Sequence, residues 1–260
     1  MFAKRILILI PHPDDEIAGC AAAIARARAE GARVFGAYLS QGCIPREDFW
    51  PWQRGAYQKR VARRMLEAEK AADFLGLNIV TKNVQRPARR IWRELKDVKV
   101  EVEASIRLCA PEVLWVPAFE GGNPDHDALN ALASKSGLPV FEFSEYHLAG
   151  GRAHSNTFIA KRGGEITLAL SPEEQKMKRA AFRLYESERG NVAGLRLTQE
   201  QFRPLPRYDY SKPPHEGKLW YERFQWAPFR PPRVDYTKSA EVAAAIADFL
   251  EARGERREAS

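Results

Sequence analysis

The chain opens on KRILILI (4–10), an unbroken run of β-branched and leucine side chains with no polar alternation. That pattern predicts a strand covered on both faces, as in parallel sheets. Residues 16–31 are rich in alanine, lack proline and end at Gly31, which predicts a helix with a glycine stop. A second strand is expected over 32–40, then a loop rich in Pro, Gly and Trp over 41–55. An amphipathic helix over 57–76, closed by Gly76, leads to a strand over 77–84 and a helix over 95–110. Further strands are expected over 111–119 and 138–146, with a helix over 124–137 between them. Strands alternating with helices at these spacings predict right-handed βαβ units and a mainly parallel sheet.

Past residue 150 the alternation weakens. Residues 154–170 read as a hairpin turning at Gly163-Gly164. Residues 171–188 begin Ser-Pro-Glu-Glu: a serine able to cap, a proline suited to the first position and two acids at the positive end of the helix dipole. The proline-rich stretch 203–233 reads as surface loop, and 234–253 as a closing helix with a charged tail. The expected fold is therefore α/β, with a Rossmann-like sheet, helices on both faces and a C-terminal extension of hairpin, loop and helix. Its core would span 1–150, with 151–260 packed on the same domain.

Composition narrows the class. The 260 residues are 45% apolar and 29% charged, enough for a sizeable core. The net charge of +7 comes from lysines and arginines spread along the chain, which reads as a soluble surface without a nucleic-acid partner. Cys20, Cys43 and Cys109 form no CxxC pair, so neither a disulfide framework nor a thiolate zinc knuckle is expected. The N-terminal apolar run is about six residues long and ends in charge, unlike a secretory signal. No stretch approaches the ~18 apolar residues of a membrane span, and a cytoplasmic location is the expectation.

Two short stretches carry candidate chemistry. PHPDDE (11–16) lies where the first strand should end and the first helix begin. In open α/β sheets, ligands gather at the carboxyl ends of strands. Asp14, Asp15 and Glu16 suit a helix N-terminus, where each acid gains roughly 0.3–1 kcal/mol. Capping explains one or two acids, but not His12 or the prolines on both sides of it. Clustered carboxylates repel unless a cation or protons intervene, and His with Asp can ligate a divalent metal. EGGNPDHDAL (120–129) repeats the arrangement after the strand ending near residue 119 and contributes Asp125, His126 and Asp127. One His and one Asp from the first turn, with His126, would make three ligands and leave a fourth position open, the layout of a catalytic zinc.

PHPDDE with the later PDH resembles the LmbE-like, PIG-L family of zinc-dependent N-acetylglucosaminyl deacetylases, which carry an AHPDDE-type motif and a later HPDH. RMLEAEKAADFLG (64–76) is similar to the family's Arg-x-x-Glu helix, and 170–188 to its later Lys-x-x-Ala helix. The resemblance implies that His12, Asp15 and His126 bind Zn2+ or another divalent transition metal. It implies that Asp14 is the general base, that Asp125 belongs to a supporting hydrogen-bond relay, and that Arg64 contacts substrate hydroxyls or phosphate. On its own, Arg64 reads equally as a surface arginine paired with Glu67. The implied substrate is a small N-acylated amino sugar or its conjugate, cleaved to acetate and a free amine. Glu16 reads as a helix-start residue.

Two positions depart from the family pattern. Asn123 stands where HPDH begins with histidine, a residue thought to stabilise the oxyanion or protonate the leaving amine. Asparagine can donate a hydrogen bond but no proton. Activity surviving through the metal and Asn123, replacement by His147 or His154, and loss of hydrolysis with binding retained all stay open. So does another N-acyl substrate. Glu188 stands where the family often has Gln. Phe49, Trp50, Trp52 and Tyr57 read equally as a lid over a sugar site or a flap over the core. The aromatic segment 203–226 reads as a wrapping segment or a homo-oligomer contact.

Overall fold

The computed structural model describes residues 1–81, 84–192 and 194–258. In chain order its elements are β1 (Arg5–Ile10), α1 (Asp15–Ala29), β2 (Arg33–Tyr38), α2 (Tyr57–Leu75), β3 (Asn78–Ile79), α3 (Leu95–Cys109), β4 (Val113–Pro117) and α4 (Pro124–Ala133). Then come β5 (Val140–Phe143), β6 (Tyr146–Ala149), β7 (Arg152–Ser155), β8 (Ile166–Ala169), α5 (Pro172–Leu184), α6 (Arg189–Val192), β9 (Gln199–Pro204) and α7 (Ser239–Glu258).

Seven strands form one sheet in the order β3-β2-β1-β4-β5-β9-β8. The first five are parallel; β9 runs antiparallel to β5, and β8 antiparallel to β9. The unbroken apolar run of β1 has the cause expected of it. Ile6, Ile8 and Ile10 join one core with α1, α2 and α5, while Leu7 and Leu9 join the other with α3, α4 and α7. Sequential strands step outward from β1 in one direction through β2 and β3, and from β4 in the other through β5. The order therefore reverses between β1 and β4, where an α/β sheet leaves a crevice at its carboxyl edge.

The extension differs from expectation in its pairing. The hairpin turn falls at Gly150-Gly151, between β6 and β7, not at Gly163-Gly164. β8 takes β9 as its partner instead. The strand expected over 77–84 is paired only at Asn78 and Ile79, and its Lys82 and Asn83 lie outside the described residues.

Helix α1 breaks its own ladder at Cys20, whose φ of −146° and ψ of 19° are not helical. Glu200 of β9 takes up the amides beyond the break, its carboxylate accepting from Ala22 N at 3.0 Å and Ala23 N at 2.9 Å. Lys178 of α5 donates to Ala18 O at 2.9 Å and to Glu200 at 2.8 Å. Freed backbone groups are thus satisfied by a fully buried ion pair from the C-terminal half. Just before the break, Gly19 lies against β5: a Cβ there would sit 2.1 Å from the Phe143 ring. Among the described residues no helix is long and apolar enough to cross a membrane.

Candidate active site

The turn after β1 and the turn after β4 meet at the sheet's switch point. Asp14, the residue preceding α1, has φ 113°, a left-handed conformation unusual for a residue with a side chain. Its amide is held by Glu16 Oε2 at 3.0 Å, and Glu16 Oε1 accepts from Tyr185 at 2.6 Å. Glu16 is fully buried, and burial raises its pKa to about 7. In the second turn, Gly121 has φ 67°, and Leu219 packs where a Cβ would stand. Asn123 caps α4, its side-chain oxygen accepting from Asp125 N at 2.9 Å.

The side chains of His12, Asp15 and His126 are buried, and each offers a ligand atom within 4.8 Å of the other two. His12 Nδ1 lies 3.1 Å from Asp15 Oδ2, His126 Nε2 lies 3.2 Å from that oxygen, and the two nitrogens are 3.3 Å apart. A tetrahedral cation with bonds of about 2.0–2.1 Å needs ligand atoms about 3.3 Å apart. Each imidazole also has a carboxylate behind it. His12 Nε2 is 3.0 Å from Asp125 Oδ2, and His126 Nδ1 is 4.0 Å from Glu145 Oε2. A ring nitrogen that donates to a carboxylate leaves the opposite nitrogen as a bare acceptor. An acceptor nitrogen of His12 then faces the Asp15 carboxylate beside His126 Nε2, which is unfavourable unless a cation or protons lie between them. The donor set therefore fits a divalent transition metal.

The same field acts on protons. Burial disfavours a charged His12, but the Asp15 carboxylate and the hydrogen bonds to Asp125 and Asp15 outweigh this and raise its pKa to about 10. Burial acts to raise the Asp15 pKa; the imidazoles of His126 and His12 override it and hold the carboxyl well below its ordinary range. Burial raises Asp14 to about 6 against the opposing pull of Arg64. Asp125 is fully buried and accepts from Arg89 N at 2.6 Å and Trp92 N at 3.3 Å, besides its contact with His12.

Arg64 lines the same cleft, but its guanidinium is committed. It pairs with Asp14 and Glu188 at 3.0 Å each, and donates to Ser187 Oγ and to the carbonyl of Pro13. Glu67 pairs with Arg63 instead. Asn123 and Tyr146 both face the cleft. His154 also lines the cleft; His147 is buried beside it, bonded to Thr157 O at 2.8 Å, with its pKa lowered by burial to about 4. The cleft has a volume of about 530 Å³. Phe49 and Trp50 line a neighbouring cavity of about 480 Å³, which shares the Arg89 and Asp235 wall with the cleft.

Glu145 and Tyr146 were not among the residues singled out from the sequence. Both follow β5, the next strand along the carboxyl edge, so the strand-end rule that finds His12 and His126 applies to them too. Among the described residues Glu145 is 3% exposed, and neither carboxylate oxygen has a hydrogen-bond partner. Burial and the charges of Asp15 and Asp14 raise its pKa well above the ordinary value.

A family model described as PIG-L, GlcNAc-PI de-N-acetylase, matches residues 7–136, half of the chain. No curated protein matches the chain. Among solved structures, a deacetylase triple mutant of the teicoplanin biosynthetic pathway is 20% identical, with 79% of this chain and 99% of that one covered, at a TM-score of 0.62. The N,N'-diacetylchitobiose deacetylase of Pyrococcus horikoshii is 17% identical over 78% of this chain and 84% of its own, at 0.51. GalB, the 4-carboxy-2-hydroxymuconate hydratase of Pseudomonas putida KT2440, is 17% identical over 83% of this chain and all of its own, also at 0.51. At these identities the likeness is one of fold, and the fold carries more than one reaction.

Proposed function

The chain belongs to the PIG-L family, and from that premise we propose that it is a metal-dependent N-deacetylase. It hydrolyses the N-acetyl amide of an amino sugar or sugar conjugate to acetate and a free amine. The observation that carries this reading is the convergence of His12, Asp15 and His126 in a cleft that also presents the Asp14 carboxylate. These three would hold Zn2+ or another divalent transition metal. When bound, such an ion polarises the acyl carbonyl and acidifies water.

The chain's own residues supply the rest. Asp14 takes the proton of the attacking water, as a general base. Arg64 and the left-handed turn fix the direction of its carboxylate. Asp125 sets the orientation of the His12 ring from behind, and Glu145, 4.0 Å behind His126, is placed to accept a hydrogen bond from its Nδ1 once the other nitrogen holds a metal. Asn123, at the position of the family histidine, and Tyr146 both line the cleft, and a hydrogen bond from the Asn123 amide or the Tyr146 hydroxyl helps to hold the developing oxyanion.

The test is amine release from N-acetylated sugars by the zinc-loaded protein and its Asp14→Asn variant. The variant is expected to retain zinc and lose about 10²–10⁴-fold in rate, the range of general-base catalysis. Equal rates would remove Asp14 from the chemistry. Zinc binding without amine release from any acylated compound would leave a metal-binding protein whose catalysis has lapsed. That second reading is favoured by Asn123, which stands where the family has a histidine and can donate a hydrogen bond but no proton to the leaving amine.

A further inference from the structure

The chain has five histidines, and two of them, His12 and His126, converge with Asp15. The other three also come together. His147 and His154 stand directly opposite one another on β6 and β7, their rings stacked at 5.3 Å between centroids and 13° between planes. His215 reaches them from the proline-rich strap 203–233, near enough for a charge on it to act on His147. Burial chiefly, with charge on His154 or His215 in addition, lowers the His147 pKa to about 4, so this ring is neutral at pH 7.

Two of the rings have a fixed tautomer when neutral. His147 Nε2 lies 2.8 Å from the Thr157 carbonyl oxygen, and His215 Nδ1 lies 2.8 Å from that of Glu216. A carbonyl only accepts, so these nitrogens carry the protons, and His147 Nδ1 and His215 Nε2 are left with bare lone pairs. Both bare nitrogens are withdrawn from solvent, and among the described residues neither has a hydrogen-bond partner. His147 as a whole is 1% exposed. An acceptor buried without a partner is costly and calls for an occupant. A carbonyl on one ring nitrogen is also what commonly stands behind a histidine that ligates a metal through the other. His154, exposed beside them, offers a third imidazole.

We infer that His147, His154 and His215 form a second site for a transition-metal ion, bound through His147 Nδ1, His215 Nε2 and a nitrogen of His154. The donors are three neutral imidazoles. Every ion pair made by a histidine among the described residues belongs to His12 or His126, so no carboxylate joins this set. Imidazole donors without oxygen suit Zn2+, Ni2+ or Cu2+ and not Mg2+ or Ca2+. Among the described residues only the first centre brings three ligand atoms within 4.8 Å of one another. Closing the second therefore takes a side-chain rotation, which an exposed ring such as His154 makes within picoseconds to nanoseconds. The ion would tie the β6–β7 hairpin to the strap. That hairpin carries Tyr146, whose ring packs on His126 at 5.8 Å and on Trp220 of the strap at 5.3 Å. A second ion thus fixes a wall of the cleft without entering its chemistry.

The experiment equilibrates the untagged, full-length protein with buffered free Zn2+ and counts bound zinc by elemental analysis. The parent is expected to bind two equivalents. His154→Ala and His215→Ala, both at positions that are not fully buried, should each lose one equivalent and keep the other. His126→Ala should lose the first and keep the second. Because that variant alters a buried position, imidazole nitrogen resonances of the parent supply an independent reading. The second equivalent should shift His147 Nδ1 and His215 Nε2 and leave the His12 and His126 signals in place. A parent that stops at one equivalent overturns the inference and leaves these nitrogens to solvent. So does a second equivalent that survives the His154→Ala, His215→Ala double substitution, or one that moves neither nitrogen. No outcome depends on amine release, so this site stands or falls separately from the deacetylase reading.

Discussion

Glu145 has been removed from water without a hydrogen bond to compensate it, and His126 Nδ1 stands 4.0 Å away. A buried carboxylate in that state is costly, and it gains a partner once His126 donates from Nδ1 with its other nitrogen on a metal. Glu145→Gln keeps the shape and removes the charge. It should weaken zinc affinity about 10–100-fold, read by competition with a chelator, without changing the fold. A variant that holds zinc as tightly as the parent would show that Glu145 does not support the site. Asp125 does the equivalent work for His12 and is better secured, by two backbone amides. Its contact crosses from the second turn to the first, so it ties the two halves of the site together.

Helix α1 presents the first turn, and its position depends on close packing against β5. A methyl group at Gly19 would enter the Phe143 ring. Gly19→Ala should therefore cost about 1–3 kcal/mol, the range for overpacked cores, seen as a lower denaturation midpoint. An undiminished midpoint would mean that β5 yields easily. Much of this element's role was legible in sequence. The run 4–10, the acids at 14–16 and Gly31 mark strand, turn and helix end because backbone period and capping chemistry are local. The same locality exposed His12, an aspartate of the first turn and His126 as partners, since both turns follow strands of a parallel sheet; the choice of Asp15 came from the family resemblance. The break at Cys20 was not legible, because Glu200 and Lys178, which make it tolerable, lie far along the chain. Nor was the pairing of β8 with β9: polar β9 carries no strand signal, and its last two residues read as loop, until its place beside β5 is known. Arg64 was legible as a site residue but not its commitment to Asp14 and Glu188, which depends on how α2 meets the turns.

For the molecule as a whole, buried acids shape the response to pH. Glu120 lies just beyond β4, accepts from Ile159 N at 2.6 Å and Ser144 Oγ at 3.2 Å, and is raised by burial from 4.5 to about 8. Between those values the folded chain keeps a proton that the unfolded chain has released. Its contribution to stability is thus fully present below pH 4.5 and is lost as pH rises to about 8. Glu120→Gln should flatten that part of the profile by up to about 1.4 kcal/mol per pH unit, measured by denaturation at several pH values. Identical slopes in parent and variant would assign the dependence elsewhere. The bond between Ala22 and Glu200 bears on how the chain is made, because 178 positions separate its ends. A ribosome that has delivered His12, Asp15 and His126 has not yet delivered the carboxylate that completes the helix beneath them. Until β9 emerges, the nascent protein carries the His12, Asp15 and His126 side chains on an unfinished support, so assembly of the pocket waits for nearly the last quarter of synthesis.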